Sequence, residues 1–487
     1  MYLTTRNLLM EWSMSQSSAA GKCSDTTSSP NSQHLSIKDL DERSRLLGVL
    51  FYTMRHLFGD IRGLFSSITD PRDQKKIVYP IGDLALAGIL MFMCGLKARR
   101  QIALLMRYCA GADTLDEFFQ AGKCPHGDTL NDAFAVMDPT EFQNIICWMV
   151  CCLIRKKVLY SSRLLDRYFV IAIDGTWTLK RKKRHCPRCL TQTKNGKTTY
   201  YHMVLEAKLV TPDGFAIPVF TEFVENSGEA SKLDCELKAF YRMAKKLKAC
   251  FPRLPIMVTI DGLFASGPVF RVCKEHGWKF MVVLKDGSLR TVNQEFESLS
   301  LLQPENRLTH RFLDGKTRVE QCFHWVNGIE YTDTQKTEHT VDVIECIETR
   351  EDSKGVVTTK RYRWVTNLRV SQRNVVRLAN HGGRLRWKVE NEGFNVQKNG
   401  VFGLTHMYSK NRNSAKIFHY LMQIAHLLMQ LLTKGNLLKR WFHGGMGSLK
   451  NVSFRLLEAW RNAHLTGGML QWITQWRFQI RFCPDTS

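Results

Sequence analysis

Nowhere does this sequence carry an apolar run long enough to span a membrane. The longest clean stretch, Leu84 to Leu96, is 13 residues, where a crossing helix needs about 20. The N-terminal residues lack the apolar core of an export signal, so a leader is not expected. Acidic residues are scarce: 45 Asp and Glu stand against 69 Lys and Arg, a formal charge of +24. A surplus of that size points to a polyanionic partner, nucleic acid before a membrane surface, because the basic residues are dispersed and not gathered beside an anchor. A disulfide framework is also missing. The fifteen cysteines are scattered, and Cys147, Cys151 and Cys152 sit inside a second apolar run, a pattern of reduced compartments.

What is present suffices for cores. At 44% hydrophobic and 487 residues, the chain is globular and long enough for several domain-sized units. Residues 13 to 36 hold nine serines and few large apolar residues, so 1–45 reads as a flexible extension. Residues 46–165 read as an all-α N-terminal domain. "YPIGDLALAGILMFMCGL" and "TEFQNIICWMVCCLIRKK" have the character of buried helices, and "HGDTLNDAFAVM" one capped at Asp128/Thr129.

From Tyr168 the pattern changes. "YFVIAID" is a continuous apolar run ending in a polar turn, as expected of a strand buried on both faces. "YYHMVLEAKLV" and "FAIPVFTEF" follow, joined by the turn "TPDG". Then come a helix over 229–250, the strand "PIMVTID", a helix around "GPVFRVCKEHG" and the strand "KFMVVLK". This β-β-β-α-β-α-β order is that of a ribonuclease H-like α/β fold, with its first part at 166–288. Residues 289–360 read as a β-rich insertion without a long helix, 361–435 as the second part of the core, and 436–487 as a helical tail.

Two aspartates end strands in that order, Asp174 in "IDGT" and Asp261 in "IDGLFAS". Strand carboxyl ends are where mixed sheets build sites. A third carboxylate comes from "LRWKVENEGFNVQKN", where Glu390 and Glu392 are about 200° apart on an α-helix and point to nearly opposite faces. Arg386 and Glu390 are i,i+4 and share a face, with Gln397 about 20° away. Glu392 is left to pair with Lys388. Two aspartates and a glutamate can hold two divalent ions about 4 Å apart, and oxygen donors suit Mg²⁺ or Mn²⁺.

On these residues the chain resembles DDE-type transposases of bacterial insertion sequences, in the branch with a long β-rich insert before the glutamate. The resemblance runs from Phe58 to Leu432, and "RWKVENEGFN" is its most specific phrase. It implies that Asp174, Asp261 and Glu390 form the metal-binding triad and that Arg386 is the arginine preceding the glutamate. It further implies cleavage of double-stranded DNA at the element ends, attack of the freed 3′-hydroxyl on target DNA, a homodimer holding two ends, and a cytoplasmic, nucleoid-associated location. Two positions depart from the branch: Gly383 stands where relatives place a tyrosine and Gln397 where they place a lysine. Lys398, one step on and about 80° off the face, is the remaining basic candidate for contact with DNA there. A silent DNA-binding copy and a nuclease without strand transfer are the other readings.

The segment "KRKKRHCPRCL" carries two further features. Cys186-x-x-Cys189 has zinc-knuckle spacing, with His185 adjacent and His202 available as a fourth ligand; thiolates there would take structural Zn²⁺ and not Mg²⁺. The five consecutive basic residues Lys180, Arg181, Lys182, Lys183 and Arg184 are expected beside the path of DNA phosphates, near the Asp174 end of the sheet.

Overall fold

The structure, a computed structural model, describes residues 37–38, 40–107, 119–226, 234–442, 445–463 and 465–482. The expected extension lies outside the described residues as far as 36. The chain forms two compact units, Met1–Val158 with Gln397–Ser487, and Leu159–Val396.

The described residues of the first unit form helices and no strand. Helix Glu42–Phe58 begins at Asp41, whose carboxylate accepts from Ser44 N. Every residue of helix Ile81–Met93 is buried, as expected of a helix apolar all round that runs through a core. Its Asp83 is fully buried and accepts from Gln120 N and Ala121 N at 3.1 and 3.0 Å. Helix Gly127–Val136 is capped by the His126 ring and not by Asp128 or Thr129. No helix is long and apolar enough to cross a membrane among the described residues.

Helix Arg412–Lys434, which the sequence placed with the sheet, groups instead with these helices. Its cap is Asn411, whose side chain accepts from Asn413 N and Ser414 N; Ser414 itself is inside the helix. The polar residues recurring along it are buried and bonded. Gln397 Nε2 donates to Gln423 Oε1 at 2.8 Å and lies 3.0 Å from His426 Nδ1. Gln423 lies 3.1 Å from His419.

The second unit is built on a ten-stranded mixed sheet flanked by helices, an α/β architecture. Its strands are β1 (Phe169–Arg181), β2 (Leu190–Lys194), β3 (Lys197–Val210), β4 (Ala216–Val224), β5 (Ile256–Ile260), β6 (Lys279–Val283), β7 (Arg307–Asp314), β8 (Thr317–Thr332), β9 (Glu338–Glu351) and β10 (Val357–Thr366). The order across the sheet is β2-β3-β1-β5-β6-β10-β9-β8-β7, with β4 also on β3. β1, β5 and β6 are parallel, with β5 reached from β4 through helix Glu236–Cys250 and β6 from β5 through helix Gly267–Glu275, and β3 and β10 run antiparallel to their neighbours.

Two features differ from the sequence reading. Arg290–Leu302 is a 13-residue helix in a stretch expected to be β-rich throughout. Buried Arg363 on β10 holds it, donating to Asn293 at 2.6 Å and to Glu345 at 2.7 and 3.0 Å. The strands that follow extend the same sheet, because β10 pairs directly with β6.

The core on one face of the sheet fixes where the glutamate segment lies. Val170, Ala172, Met257, Met281 and Trp364 from the strands pack with Leu385, Val389 and Phe394. In a strand, alternate residues share a face. Asp174 therefore shares the face of Val170 and Ala172, and Asp261, still in extended conformation, shares that of Met257. Both carboxylates emerge on the side where Val389 and Phe394 are anchored.

Candidate active site

Pairing between β1 and β5 puts Ile173 beside Ile260, so Asp174 and Asp261 stand side by side, about 5 Å apart in backbone. Asp261 follows the last residue of β5, whereas Asp174, expected at a strand end, lies inside β1, which runs on to Arg181. Asp174 accepts from Gly175 N at 2.9 Å and from Arg386 Nη1 at 3.1 Å. Arg386 is buried, lies 4.4 Å from the Trp387 ring centroid, and its Nε has no partner among the described residues. The guanidinium thus holds Asp174 through Nη1, while its Nε is enclosed. Burial raises the Asp174 pKa; Arg386 and the Gly175 N–H oppose it, and the charges of Asp261 and Glu390 push it further up.

Asp261 behaves oppositely. Burial would raise its pKa, but a 2.8 Å bond from Lys285 Nζ, the charge of Lys285 and that of Arg386 hold it below the usual value. Lys285 lies two residues past the end of β6 and was not singled out from sequence. A cation just beyond a strand terminus was the available signal.

Glu390 is exposed and lies in a π-helical segment, Val389–Asn395, entered from the short α-helix Arg386–Lys388. Buried Val389 and Phe394 flank it, and single wide turns of this kind recur at functional sites. Glu392 pairs with Lys388 at 3.3 Å, as the i,i+4 spacing predicts. Gln397 bonds within the helical unit, and Lys398, half-buried, also belongs to that unit. Gly383, where a tyrosine was expected by resemblance, has no room for one: a Cβ there would lie 2.5 Å from Trp364 Nε1.

A fourth carboxylate, Glu236, went unrecognised in the sequence. It stands in the first turn of helix Glu236–Cys250, where the helix dipole favours charge. Even so, burial first, then repulsion from Asp174 and Asp261, raise its pKa to about 7. Gly175 makes this approach feasible, since a Cβ there would sit 2.5 Å from Glu236 Oε1. Stability that depends on the protonated form is complete below about pH 4.5 and is lost as pH rises through about 7. We expect Glu236→Gln to flatten that slope. Discounted for solvent screening, the metal-free variant should gain on the order of 1–2 kcal/mol over wild type at pH 8 and nothing at pH 4. Urea unfolding at both pH values measures it; equal gains would assign the effect to packing.

The basic run lies elsewhere. β1 continues to Arg181, so Lys180 and Arg181 end a strand and Lys182 to Arg184 form the turn beyond, all exposed. Lys180 lies 4.2 Å from the Trp177 ring centroid. Six residues of strand separate it from Asp174, about 20 Å, so these cations flank the carboxylates at a distance instead of joining them. The His185, Cys186, Cys189 and His202 side chains do come together, with ligand atoms all within 4.8 Å of one another.

Residues 63–149 match the family model described as DDE_Tnp_1-associated. The match covers helices of the first unit and points to DDE-type transposases. Comparison with curated proteins gives no match.

Proposed function

We propose that this chain is a DDE-type DNA transposase of a bacterial insertion sequence, with a ribonuclease H-like core. The observation that carries the reading is the convergence of Asp174, Asp261 and the Glu390 segment where the parallel pairing of β1 and β5 ends, with Arg386 bonded to Asp174. The order β4-β3-β1-β5-β6 and the family match in the N-terminal helices support it.

The donor set fits hard divalent cations: all three ligands are carboxylates, and burial first, then repulsion from Asp261 and Glu390, raises Asp174 until positive charge offsets it. Asp174, Asp261 and Glu390 would hold Mg²⁺ or Mn²⁺, which lowers the pKa of an attacking water or 3′-hydroxyl and stabilises the leaving oxygen of a phosphodiester. Arg386 fixes the rotamer of Asp174. Lys285 neutralises Asp261 until substrate binds. The partner is double-stranded DNA, both element end and target, and two copies of the chain hold two ends. The location is cytoplasmic, on the nucleoid. The basic surface serves as a non-specific phosphate track.

The test uses a labelled duplex carrying the DNA that borders the gene, incubated with a supercoiled target plasmid. Wild type with Mg²⁺ or Mn²⁺ should nick at the element end and join label to the plasmid; EDTA should abolish both. Nicking without joined product would make the protein a nuclease. Binding without either reaction would make it a silent DNA-binding copy.

A further inference from the structure

The β1–β2 connection converges on one point for which the carboxylate chemistry has no use. Cys186 Sγ lies 3.4 Å from Cys189 Sγ and 3.2 Å from His202 Nε2. Cys189 Sγ lies 3.5 Å from His202 Nε2 and 3.4 Å from the His185 ring nitrogens. The two imidazoles face each other with centroids 4.9 Å apart. With Zn–S near 2.3 Å and Zn–N near 2.05 Å, a tetrahedral ion sets S···S at about 3.8 Å and S···N at about 3.5 Å. These S···S and S···N spacings lie within a few tenths of an ångström of that, and all four ligand atoms fall within 4.8 Å of one another. A disulfide would leave the histidines without a reason to converge, and thiols in a solvated loop would not bring four ligand atoms together. Cys189 is fully buried although the residues before it are exposed.

The surroundings are built as a support for the ligands. Cys189 N donates to Cys186 O at 3.4 Å, closing the knuckle turn. Asn226, just past β4, donates from Nδ2 to Cys189 O at 3.0 Å and from its backbone to Arg188 O at 3.3 Å. His202 sits on β3 opposite Leu179 of β1. Three ligands thus come from a loop and one from the sheet, so an ion bound by all four would fix the loop to the sheet.

We infer that His185, Cys186, Cys189 and His202 bind one structural Zn²⁺, and that this ion holds the Lys180–Arg184 turn rigid as a DNA clamp. The clamp stands about 20 Å along β1 from Asp174, a distance of roughly six base pairs at 3.4 Å each. It would grip duplex DNA flanking the scissile phosphate without entering the reaction. The metal assignment does not depend on the carboxylate site; the clamp rests on DNA being the partner.

The full chain, purified without chelator, should contain one zinc per chain by elemental analysis. Exchange for Co²⁺ should give the intense visible bands of a tetrahedral thiolate site. Cys186→Ser and His202→Ala should each reduce zinc content at least tenfold. Wild type stripped by a chelator and reloaded with Zn²⁺ provides a comparison that needs no variant to fold. On a random 30-base-pair duplex, stripping should weaken binding about tenfold and make the dependence of affinity on salt shallower by two to three counterions; reloading should restore both. Absence of zinc together with absence of a tetrahedral Co²⁺ spectrum overturns the site, as does zinc that persists in both variants. Zinc present and removable with DNA affinity and salt slope unchanged overturns the clamp while leaving the site. A duplex that binds normally yet is never cleaved would count against the transposase reading alone.

Discussion

Glu390→Ala should lower DNA end cleavage and joining by roughly 10³-fold or more, while Glu392→Ala stays within about threefold of wild type. The two residues share one wide turn, yet their surroundings differ. Glu390 is exposed and its charge acts on Asp174; Glu392 is paired with Lys388 of its own turn. On the proposed reading, loss of Glu390 removes one of three oxygen ligands, and ions held by the remaining two would be weakly and loosely bound. Because Glu390 is exposed, its removal leaves no buried cavity. Folding and duplex binding should therefore be unchanged, which separates a chemical defect from a structural one. The measurement is joined product per hour alongside an anisotropy titration of the same duplex. Equal losses in both variants would mean that the turn as a whole, not one carboxylate, is needed.

The second large effect concerns a buried ion pair, not the carboxylates proposed to hold metal. Glu206 and Lys208 on β3 are almost completely buried and bonded to each other. Glu206 is paired with Asp174 across β1 and β3, and Lys208 with Ala172, so the pair lies on the face covered by the glutamate segment. Lys208 Nζ is 5.7 Å from the centroid of Phe394. Burial lowers the Lys208 pKa, and Glu206 counters it. Glu206→Ala should cost about 3–5 kcal/mol, because it leaves an ammonium in the core without its carboxylate. Glu206→Leu combined with Lys208→Met should be close to neutral, or more stable than wild type, for the same reason. Urea unfolding followed by tryptophan fluorescence gives both values. A double variant as unstable as Glu206→Ala would show that packing, and not the unpaired charge, sets the cost.

What the sequence reveals here depends on how local the cause is. Asp174 and Asp261 stand out because each closes an apolar run, and the run's own composition makes the strand. Glu390 stands out through helical spacing to Arg386, and the choice over Glu392 follows from geometry within a few residues. Glu236, Lys285 and the Glu206–Lys208 pair act through contacts between separate elements, and nothing in their neighbouring residues marks them. The π-helical turn at 389–395 is equally hidden, since its seven residues read as ordinary helix. Arg290–Leu302 was missed because its helix is amphipathic, with only Val292, Asn293 and Phe296 buried, and because its anchor, Arg363, lies far along the chain. The sequence places the residues of helix Arg412–Lys434 with the core, as part of 361–435. Which unit would receive it depended on partners that local patterning does not name.

The bond between Arg386 and Asp174 joins residues 212 positions apart, and that separation has a consequence in time. A ribosome adds about 5–20 residues per second, so Asp174 is made roughly 10–40 s before the arginine that holds it. Throughout that interval the nascent chain carries both aspartates without Arg386 or the glutamate. Any product of premature termination before residue 386 is in the same condition. On the proposed reading such fragments would display basic surface to DNA and lack the groups to cut it, so chemical competence would arrive only once residue 390 has been made.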